Sequence, residues 1–393
     1  MADKQYPDAL SGLPDQPGMY MNSVDPDAVL CPFDLLEKFM YDVFVAAGVP
    51  PEEAKISTEV LIEADKTGID SHGIGRLKII YINRLRNGTQ EPVTNFEVVR
   101  ETDTTAVIDG HNGNGHVIAQ RSCDMAIEKA KKHGLGMTVC RNSTHFGIAG
   151  YYARRAAQQG IILMTGTNAR PSIAPTGGVQ NMIGTNPLTF GIPTDEEFPF
   201  VLDCATSIAH RGKIEMYNRL GKELPPGWVI GSDGTARVDT ANVLKDFGTG
   251  NAALTPLGGL GEIGGGHKGY GYALVVEILS SCLQSGNFMN ALLGTKDGKP
   301  CPIELGHFFL AINPECFRDL EDFKKQVGDL LREVRASRKA PGVHAIYTPG
   351  EKEFIAKKRR EELGGTLVPP ALQKEACELR DLYNLDYTFP WEK

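Results

Sequence analysis

The chain has 393 residues, of which 41% are hydrophobic and 23% charged, proportions typical of globular proteins and unlike those of disordered or fibrous ones. At roughly 150 residues per domain, this length predicts two or three domains. Asp and Glu number 49 against 41 Lys and Arg, which gives a net charge of -8. This acidic balance argues against a nucleic-acid partner, because nucleic-acid binding requires a basic surface.

The sequence predicts a soluble, cytoplasmic protein with no membrane partner. No apolar run approaches the roughly 18 residues of a spanning helix, and the polar first thirty residues lack the apolar core of a secretory signal. The eight cysteines show no C-x-x-C or zinc-type spacing, so we expect no metal site. We expect the cysteines to be free thiols used mainly as small core residues.

The first elements along the chain are helical. Residues 1–27, rich in Pro, Asp and Gly, predict an irregular arm. Apolar residues at three- and four-residue steps then predict a helix that ends at Gly48 and a second that begins at Pro50 or Pro51. A third helix is expected to begin at Ser71 or soon after and to end at Asn87.

After Pro92 the apolar pattern changes to alternating short strands and helices, which predicts an α/β domain with a central mixed sheet. We expect this domain to span 100–313, with KGYGYALVVEILSSCL as a buried helix that covers the sheet. Residues 28–99 and 314–393 are expected to form one helical domain from both chain ends. Within it, the run KKRREE is expected to be a solvated helix face.

Three histidines stand beside glycine or small polar residues at element boundaries, where functional side chains concentrate: His72, His145 and His267. A single histidine of this kind is more often structural, and spacing alone does not show that the three meet. A metal-dependent hydrolase is an alternative, although no H-x-H or H-E-x-x-H spacing supports it. A second alternative is a protein that is related to an enzyme but has no catalytic activity.

The segment GLGEIG at 259–264 fits the G-x-G-x-x-G pattern of Rossmann dinucleotide sites, but we expect it to be a coincidental match. No clear strand precedes it, and position 284, about 20 residues on, is Gln rather than an acid. What remains is a glycine loop before Lys268, whose backbone N–H groups and lysine can bind a phosphate. A plain glycine turn is the alternative.

Seven ordered motifs together resemble the malate/L-lactate dehydrogenase superfamily: GIDSHGIGRL, NSTHFGIAGYYA, IGTNPLTFGIP, FVLDCATS, GWVIGSDG, GGGHKGYGYAL and IYTPGE. This superfamily includes ureidoglycolate, sulfolactate and diketogulonate dehydrogenases and a piperideine-carboxylate reductase. The resemblance covers about residues 30–385. It implies a homodimeric NAD(P)-dependent oxidoreductase that acts on 2-hydroxy or 2-oxo acids, with a non-Rossmann cofactor domain and a helical substrate-side domain.

The resemblance also implies site residues. Ser71, His72 and Arg76 match the substrate-side group, and His145 matches the acid/base histidine. The segments that match cofactor contacts are Asp203, Cys204 and Ala205, then His267, Lys268 and Gly269 near the phosphates, and Pro349, Gly350 and Glu351 near the far end. Many relatives have a cofactor-contacting serine where this chain has Ala169, so Asn168 is a weak substitute there. Residues 214–252 fit the superfamily only loosely.

Hydride transfer requires a bound substrate carboxylate and an acceptor for the hydroxyl proton. Arg76 suits the carboxylate, because guanidinium pairs with it in a bidentate fork. His145 precedes a predicted helix, whose N-terminal partial charge favours the neutral imidazole that accepts a proton. His72 is expected to orient the substrate oxygen, and the sequence leaves open which of the two histidines transfers the proton.

The expected substrate is malate, with L-lactate or ureidoglycolate dehydrogenation, or NADPH-dependent reduction of a 2-oxo or 2-imino acid, as alternatives. For the cofactor we expect NAD rather than NADP. Asp203 follows the apolar strand FVL, where a carboxylate can accept from ribose hydroxyls and would repel a 2′-phosphate. Arg170 and Arg211 lie near cofactor segments and would favour NADP instead.

Overall fold

The computed structural model describes residues 25–392. The predicted arm at 1–27 therefore lies almost entirely outside the described residues, as does Lys393. The α-helices of the described chain are α1 (Phe33–Ala46), α2 (Pro51–Lys66), α3 (Ile74–Arg76), α4 (Asn83–Arg86), α5 (Gly115–His133), α6 (Ala149–Ala157), α7 (Arg211–Arg219), α8 (Thr240–Thr249), α9 (Gly266–Ser281), α10 (Leu320–Ala336), α11 (Glu351–Leu363) and α12 (Pro370–Leu382).

A π-helical segment (Leu77–Ile82) connects α3 to α4, and short 3-10 turns lie at Met289–Leu292, Pro314–Cys316 and Pro390–Glu392. The third predicted helix is therefore present, but it begins at Ile74 and is widened in its middle. The strands are β1 (Val29–Pro32), β2 (Glu97–Glu101), β3 (Thr105–Asp109), β4 (Leu135–Ser143), β5 (Ile162–Thr167), β6 (Leu188–Ile192), β7 (Phe200–Cys204), β8 (Val229–Gly231), β9 (Ala252–Leu254), β10 (Thr295–Lys296), β11 (Lys299–Pro300), β12 (Leu305–Ile312) and β13 (Gly365–Val368).

The central sheet of the described chain has seven strands in the order β2-β3-β4-β12-β5-β6-β7. Only β3 and β4 pair in parallel; the other neighbours are antiparallel. The mixed sheet predicted from the sequence is thus confirmed. It is not a Rossmann sheet, because that fold is built from mostly parallel strands.

Side chains that alternate along the strands build a core on each face of this sheet. Cys140 and Phe309 pack with α5 and α6 on one face, whereas Val139 and Phe308 pack with Val276 of α9 on the other. Helix α9 therefore covers the sheet as predicted. It is not buried all round, however, because Tyr272, Val275 and Ile278 on its outer face are exposed.

A separate core joins the two ends of the chain. It combines apolar residues from α1, α2 and the π segment with residues of β13, α12 and the C-terminal turn. Strand β1 pairs antiparallel with β13, so the N-terminal helices and the C-terminal helix α12 are fastened by a short ribbon. This core draws on residues from both predicted parts of the helical domain, whose limits at 28–99 and 314–393 stay a prediction.

A third core surrounds the small antiparallel ribbon β8–β9. It includes Ile173, Ile214, Leu224, Val243 and Leu254, so the loosely matching stretch 214–252 folds around its own apolar centre. This lobe is inserted between β7 and α9. The sequence reading had not separated it from the α/β domain.

All eight cysteines lie in the described residues and are free thiols, as predicted. Cys31, Cys123 and Cys140 are buried, but Cys282 and Cys316 are exposed, so the expected core role holds for only part of the set. No helix within residues 25–392 is both long enough and apolar enough to cross a bilayer.

Candidate active site

Two loops from different parts of the chain bring four predicted site residues together. Ser71 and His72 lie between α2 and α3, and the Ser71 Oγ is 2.9 Å from His72 Nδ1. The Arg76 Nε donates to the Ser71 carbonyl oxygen. The rings of His72 and His145 stack with centroids 5.7 Å apart and an interplanar angle of 18°.

Buried acids hold the Ser71–His72 loop from behind. The backbone N–H of Ile74 donates to the Asp65 Oδ2 at 2.9 Å, and Asp65 is only 2% exposed. Burial and the nearby Asp70 carboxylate raise the pKa of Asp65 to about 8. Asp70 in turn binds the guanidinium of Arg360 in α11.

That contact corrects the interpretation of KKRREE as a solvated face. Lys358 is exposed and pairs with the exposed Glu197, but Lys357 binds Glu63 of α2 and Arg360 is only 8% exposed. Some charged residues of this run therefore face solvent, whereas others form buried or half-buried ion pairs that hold α11 against α2 and the substrate-side loop.

His145 lies between β4 and α6, and its Nδ1 is 2.6 Å from the Tyr81 hydroxyl. Burial, together with the neighbouring His72 and Arg84, lowers the pKa of His145 well below its usual value. The sequence reading gave the N-terminus of α6 as the reason for a neutral imidazole. In the structure burial is the largest cause, and the result is the same neutral ring.

His72 is also neutral. Burial is the main cause and Arg76 and His210 add to it, and together they lower the pKa of His72 to about 3. The Arg76 guanidinium is mostly buried, which lowers its pKa from the usual value without discharging it. The site therefore combines the largely buried cations Arg76 and Arg84 with two neutral imidazoles, an arrangement suited to an anionic substrate that carries an exchangeable proton.

The cofactor-side segments meet along strand β7. At its start, the Val201 N–H donates to the Pro349 carbonyl at 3.2 Å, and a Cβ on Gly350 would lie 3.0 Å from the Val201 nitrogen. Asp203 and Cys204 end the strand, and Ala205 follows it. Two of the three predicted segments are thus in contact at this strand.

The third segment joins this strand through the loop after β7. The Leu257 N–H donates to the Thr206 carbonyl at 2.8 Å, and Gly269 packs so closely on Leu257 that a Cβ would lie 2.1 Å from its carbonyl oxygen. His267 and Lys268 are exposed in the first turn of α9. The N-terminus of α9 therefore lies close to the end of β7.

The glycine loop before α9 does not form a Rossmann turn. It follows β9, a three-residue strand that pairs with β8 and bridges Ile173 but is not part of the central sheet. Gly258, Gly259, Gly261 and Gly265 all have positive φ, and a Cβ on Gly258 would lie 2.5 Å from the Gly265 carbonyl carbon. The loop thus needs glycine for its own tight path.

A cavity of about 290 Å³ lies alongside β7. Its lining includes Ile69, Gly150, Asp203, Pro349 and Gly350. Ile69 precedes Ser71 by two residues and Gly150 follows His145 by five, but neither Ser71 nor His145 is among the described residues that line the cavity.

Asp203 lines this cavity with part of its carboxylate. Its Oδ2 accepts from the Gly150 N–H at 2.6 Å and its Oδ1 from the Thr189 hydroxyl at 2.9 Å. Burial raises the pKa of Asp203, and these two hydrogen bonds oppose that shift. Asp203 therefore caps α6 while it still presents oxygen lone pairs to the cavity.

Asn168 and Glu351 are placed differently. The buried Asn168 amide donates to the Asn287 carbonyl and accepts from the Gly306 N–H, so its polar atoms hold neighbouring loops. The Glu351 carboxylate accepts from the N–H and hydroxyl of Thr348 and caps the start of α11. Any role for these two in cofactor binding stays a prediction.

Comparisons with known proteins identify the family to which this chain belongs. Residues 31–375 match the malate/L-lactate dehydrogenase family. The chain belongs to this family. Malate dehydrogenase of Pyrococcus horikoshii is 43% identical over 343 residues, which cover 87% of this chain and 92% of that protein.

The other relatives of this malate/L-lactate dehydrogenase family member agree in fold. The solved malate dehydrogenase of Entamoeba histolytica is 46% identical, with a TM-score of 0.88 over 92% of this chain and 100% of that one. L-sulfolactate dehydrogenase of Methanocaldococcus jannaschii is 39% identical over 330 residues, 83% of this chain and 90% of that protein. The family and the fold class expected from the sequence motifs are both confirmed.

Family membership implies a nicotinamide cofactor, and the residues present fit one. The Asp203 carboxylate reaches the cavity, and Lys268 stands at the N-terminus of α9, a suitable place for a phosphate. Gly350, with a φ of 91°, keeps the backbone close to β7 where a side chain would clash.

Two residues of this family member's site were missed in the sequence reading: Tyr81 and His116. Tyr81 lies in the π segment, five residues after Arg76, so regular helical spacing does not place them on one face. His116 stands in GNGHV at the start of α5, beside glycines like the three selected histidines. The same boundary criterion would have selected it.

Proposed function

We propose that this protein is an NAD-dependent dehydrogenase that interconverts a small 2-hydroxy acid and its 2-oxo acid, with malate and oxaloacetate as the substrate pair. The observation that carries the proposal is the convergence of Arg76, His72 and His145 in one largely buried group. Two relatives at more than 40% identity are malate dehydrogenases, which supports malate over L-lactate or ureidoglycolate.

In this proposal Arg76 binds the substrate carboxylate through its guanidinium, whose Nε is fixed on the Ser71 carbonyl. The neutral His145 accepts the hydroxyl proton on Nε2, because Nδ1 already faces Tyr81. His72, held by Ser71, orients the substrate oxygen. A bound nicotinamide would supply the hydride acceptor for the substrate carbon that carries the hydroxyl.

The test is reduction of a panel of 2-oxo acids followed by the absorbance of the reduced nicotinamide, with the purified enzyme and each cofactor. We expect the highest kcat/KM with oxaloacetate and NADH. Preference for pyruvate, an ureido-substituted 2-oxo acid or a cyclic imino acid would replace malate by that substrate. Absence of turnover with every substrate would overturn the proposal.

The choice of NAD rests on Asp203. Each carboxylate oxygen has accepted one hydrogen bond, so lone pairs remain for a ribose hydroxyl pair. Arg154, a cation that also lines the cavity, is already paired with Glu63 at 2.6 Å. A 2′-phosphate near Asp203 would meet a carboxylate instead of a free guanidinium.

Asp203→Asn tests this choice while keeping an acceptor for the Gly150 N–H. We expect weaker NADH binding and a smaller preference for NADH over NADPH. Thr206→Ser, which keeps a hydroxyl just beyond β7, serves as the control and should leave the preference unchanged. A native enzyme that prefers NADPH at equal concentration would contradict the choice of NAD.

We also propose that the enzyme is a cytoplasmic homodimer whose subunits meet through the α9 face, which we define as Tyr272, Val275 and Ile278. These side chains are 56%, 47% and 51% exposed, although the helix carries no exposed charge between them. An apolar face of this kind is stabilised by burial against a second one. A two-fold axis would bring the face onto its own copy.

Sedimentation velocity tests the dimer. Val275→Glu together with Ile278→Lys should shift the enzyme to a monomer, because charges would be buried in the contact. Phe317→Glu, at another exposed apolar position, is the control and should leave the dimer intact. A wild-type monomer at micromolar concentration would contradict the proposal. Free thiols throughout the described chain support the cytoplasm, where cysteines stay reduced.

A further inference from the structure

A chain of three side chains runs inward from His145, which is half-buried. The Tyr81 hydroxyl lies 2.6 Å from His145 Nδ1 and 2.7 Å from His116 Nε2. Tyr81 and His116 are both 0% exposed, and their rings pack with centroids 4.5 Å apart. The hydroxyl therefore bridges one imidazole of the proposed site and one behind it.

The second imidazole is incompletely bonded. His116 Nδ1 is buried and has no hydrogen-bond partner within the described part of the chain. Leaving a buried polar group unpaired costs roughly 1–3 kcal/mol, so a histidine kept only for packing is a poor choice at this position. Its bonded nitrogen is the one that faces Tyr81.

A hydroxyl has one proton to donate, and this fixes how the chain can work. When His145 accepts the substrate proton on Nε2, it becomes an imidazolium and must donate its Nδ1–H. The acceptor within reach is the Tyr81 oxygen. Tyr81 can accept only if it sends its own proton elsewhere, and His116 Nε2 is placed to receive that hydrogen bond.

We propose that His116 is a positioning residue for the dehydrogenase reaction: by accepting the hydrogen bond from Tyr81, it holds the Tyr81 oxygen as the acceptor for His145 Nδ1–H. Without His116, the Tyr81 proton turns toward His145 Nδ1. His145 is then held with its proton on Nε2, the nitrogen that must be free. The role of His116 resembles that of the acid behind the histidine of a Ser-His-Asp triad.

His116 does not take the proton itself. Burial lowers the pKa of His116 to about 3, so an imidazolium there would be far more costly than one at the cleft. No proton leaves Tyr81 either, because burial raises the pKa of its hydroxyl well above the usual value. The Gly147 N–H also donates to His145 Nδ1, at 3.3 Å, and favours the tautomer with the proton on Nε2. The hydrogen bond from Tyr81 to His116 is therefore what favours the proton on Nδ1.

The inference rests on the proposed function and is tested by kinetics of two variants. His116→Leu should lower kcat about 10- to 100-fold with KM changed by no more than about two-fold, as expected when a proton-transfer arrangement is lost. His116→Gln places an amide that can accept from Tyr81, so it should recover most of kcat. Equal losses in the two variants would overturn the proposal.

A double-mutant cycle separates this role from packing. Since His116 acts through Tyr81, His116→Leu should have little further effect on kcat in a Tyr81→Phe background. Fully additive losses would contradict the proposal. Circular dichroism and thermal unfolding show whether each variant folds. If His116→Leu does not fold, the kinetics of the two single variants His116→Gln and Tyr81→Phe decide the question.

A second readout needs no turnover. With ¹⁵N-histidine labelling, the shifts of His145 report which nitrogen carries the proton, and His145→Gln assigns its signals. The Nδ1-protonated fraction should be smaller in His116→Leu than in wild type, and an unchanged fraction would overturn the inference. An inactive wild-type enzyme would refute the proposed function, but this measurement would still test the hydrogen-bond chain.

Discussion

Arg360 of α11 and Asp70 form an ion pair in which the side chains are only 10% and 6% exposed. Asp70 immediately precedes Ser71, and Arg360 also donates to the Asp65 carbonyl and the Thr366 hydroxyl. A helix near the C-terminus thus holds the loop that presents Ser71 and His72.

Breaking this pair should destabilise the protein. Arg360→Met leaves the Asp70 carboxylate buried without its cation, and we expect a loss of about 3–5 kcal/mol in the free energy of unfolding. Lys358→Met, on the same helix, removes an exposed pair with Glu197 and should change it by less than about 1 kcal/mol. Urea denaturation measures both variants, and equal losses would contradict the buried role of Arg360.

Asp65 should make stability fall as the pH rises. Its pKa is about 8 in the folded protein against an ordinary 3.8. The folded state therefore keeps a proton that the unfolded state loses. The stabilisation is complete below the unfolded pKa and is lost progressively as the pH approaches and passes 8.

Asp65→Asn should remove that part of the pH dependence, because the amide keeps an acceptor for the Ile74 N–H and does not titrate. Relative to wild type, the variant should gain at least about 1 kcal/mol of unfolding free energy between pH 5 and pH 8.5. Denaturation curves at the two values measure the difference. Parallel pH profiles for the two proteins would show that Asp65 is ionised when folded.

Gly73 is required for the contact between Asp65 and the substrate-side loop. A Cβ at Gly73 would lie 1.8 Å from Asp65 Oδ1, so the loop or the acid must move. We expect Gly73→Ala to lose about 1–3 kcal/mol of stability and to raise the substrate KM. Gly75→Ala is the matched control, since its Cβ would meet no atom closer than Leu372 Cδ1 at 3.4 Å, an ordinary van der Waals contact. Similar kinetics for the two alanine variants would rule out this account.

Arg76→Lys should reduce kcat/KM by a few kcal/mol of transition-state stabilisation. The charge remains, but the fork that pairs with a carboxylate is lost. Steady-state kinetics with the preferred 2-oxo acid measure the change. Unchanged kcat/KM would mean that another group binds the carboxylate.

His145→Ala should lower turnover by about 100-fold or more, as expected when a positioned proton acceptor is removed. Cofactor binding, followed by quenching of protein fluorescence, should stay near that of wild type. His72→Ala is the comparison. A greater loss of turnover in that variant would reverse the roles of the two histidines.

Local patterns predicted the parts of the fold that depend on local sequence. The step from three- and four-residue spacing to alternation near Pro92 located the change from helices to sheet. Motifs around Ser71 and His145 identified side chains that the structure places in contact. Glycine and proline at element ends fixed the limits of α1 and α2 within a residue or two.

Features that depend on distant contacts were not predicted. KKRREE has the composition of a surface, and only the fold shows that Arg360 reaches Asp70. Tyr81 was missed because the π segment shifts it out of helical phase with Arg76. The core around β8 and β9 draws on residues from Ile173 to Ala273, so no short window of sequence reveals it.

The position of β12 has a consequence for synthesis on the ribosome. Strand β12 pairs with β4 on one side and β5 on the other, although it lies well over one hundred residues further along the chain. In the halves β2-β3-β4 and β5-β6-β7, the edges of β4 and β5 therefore stay unpaired until Leu305–Ile312 has been made. The N-terminal helices wait longer, because β1 has no partner before Gly365–Val368 emerges. A nascent chain that stalls before Leu305–Ile312 has emerged exposes the unpaired edges of β4 and β5, so aggregation during translation should be greatest there.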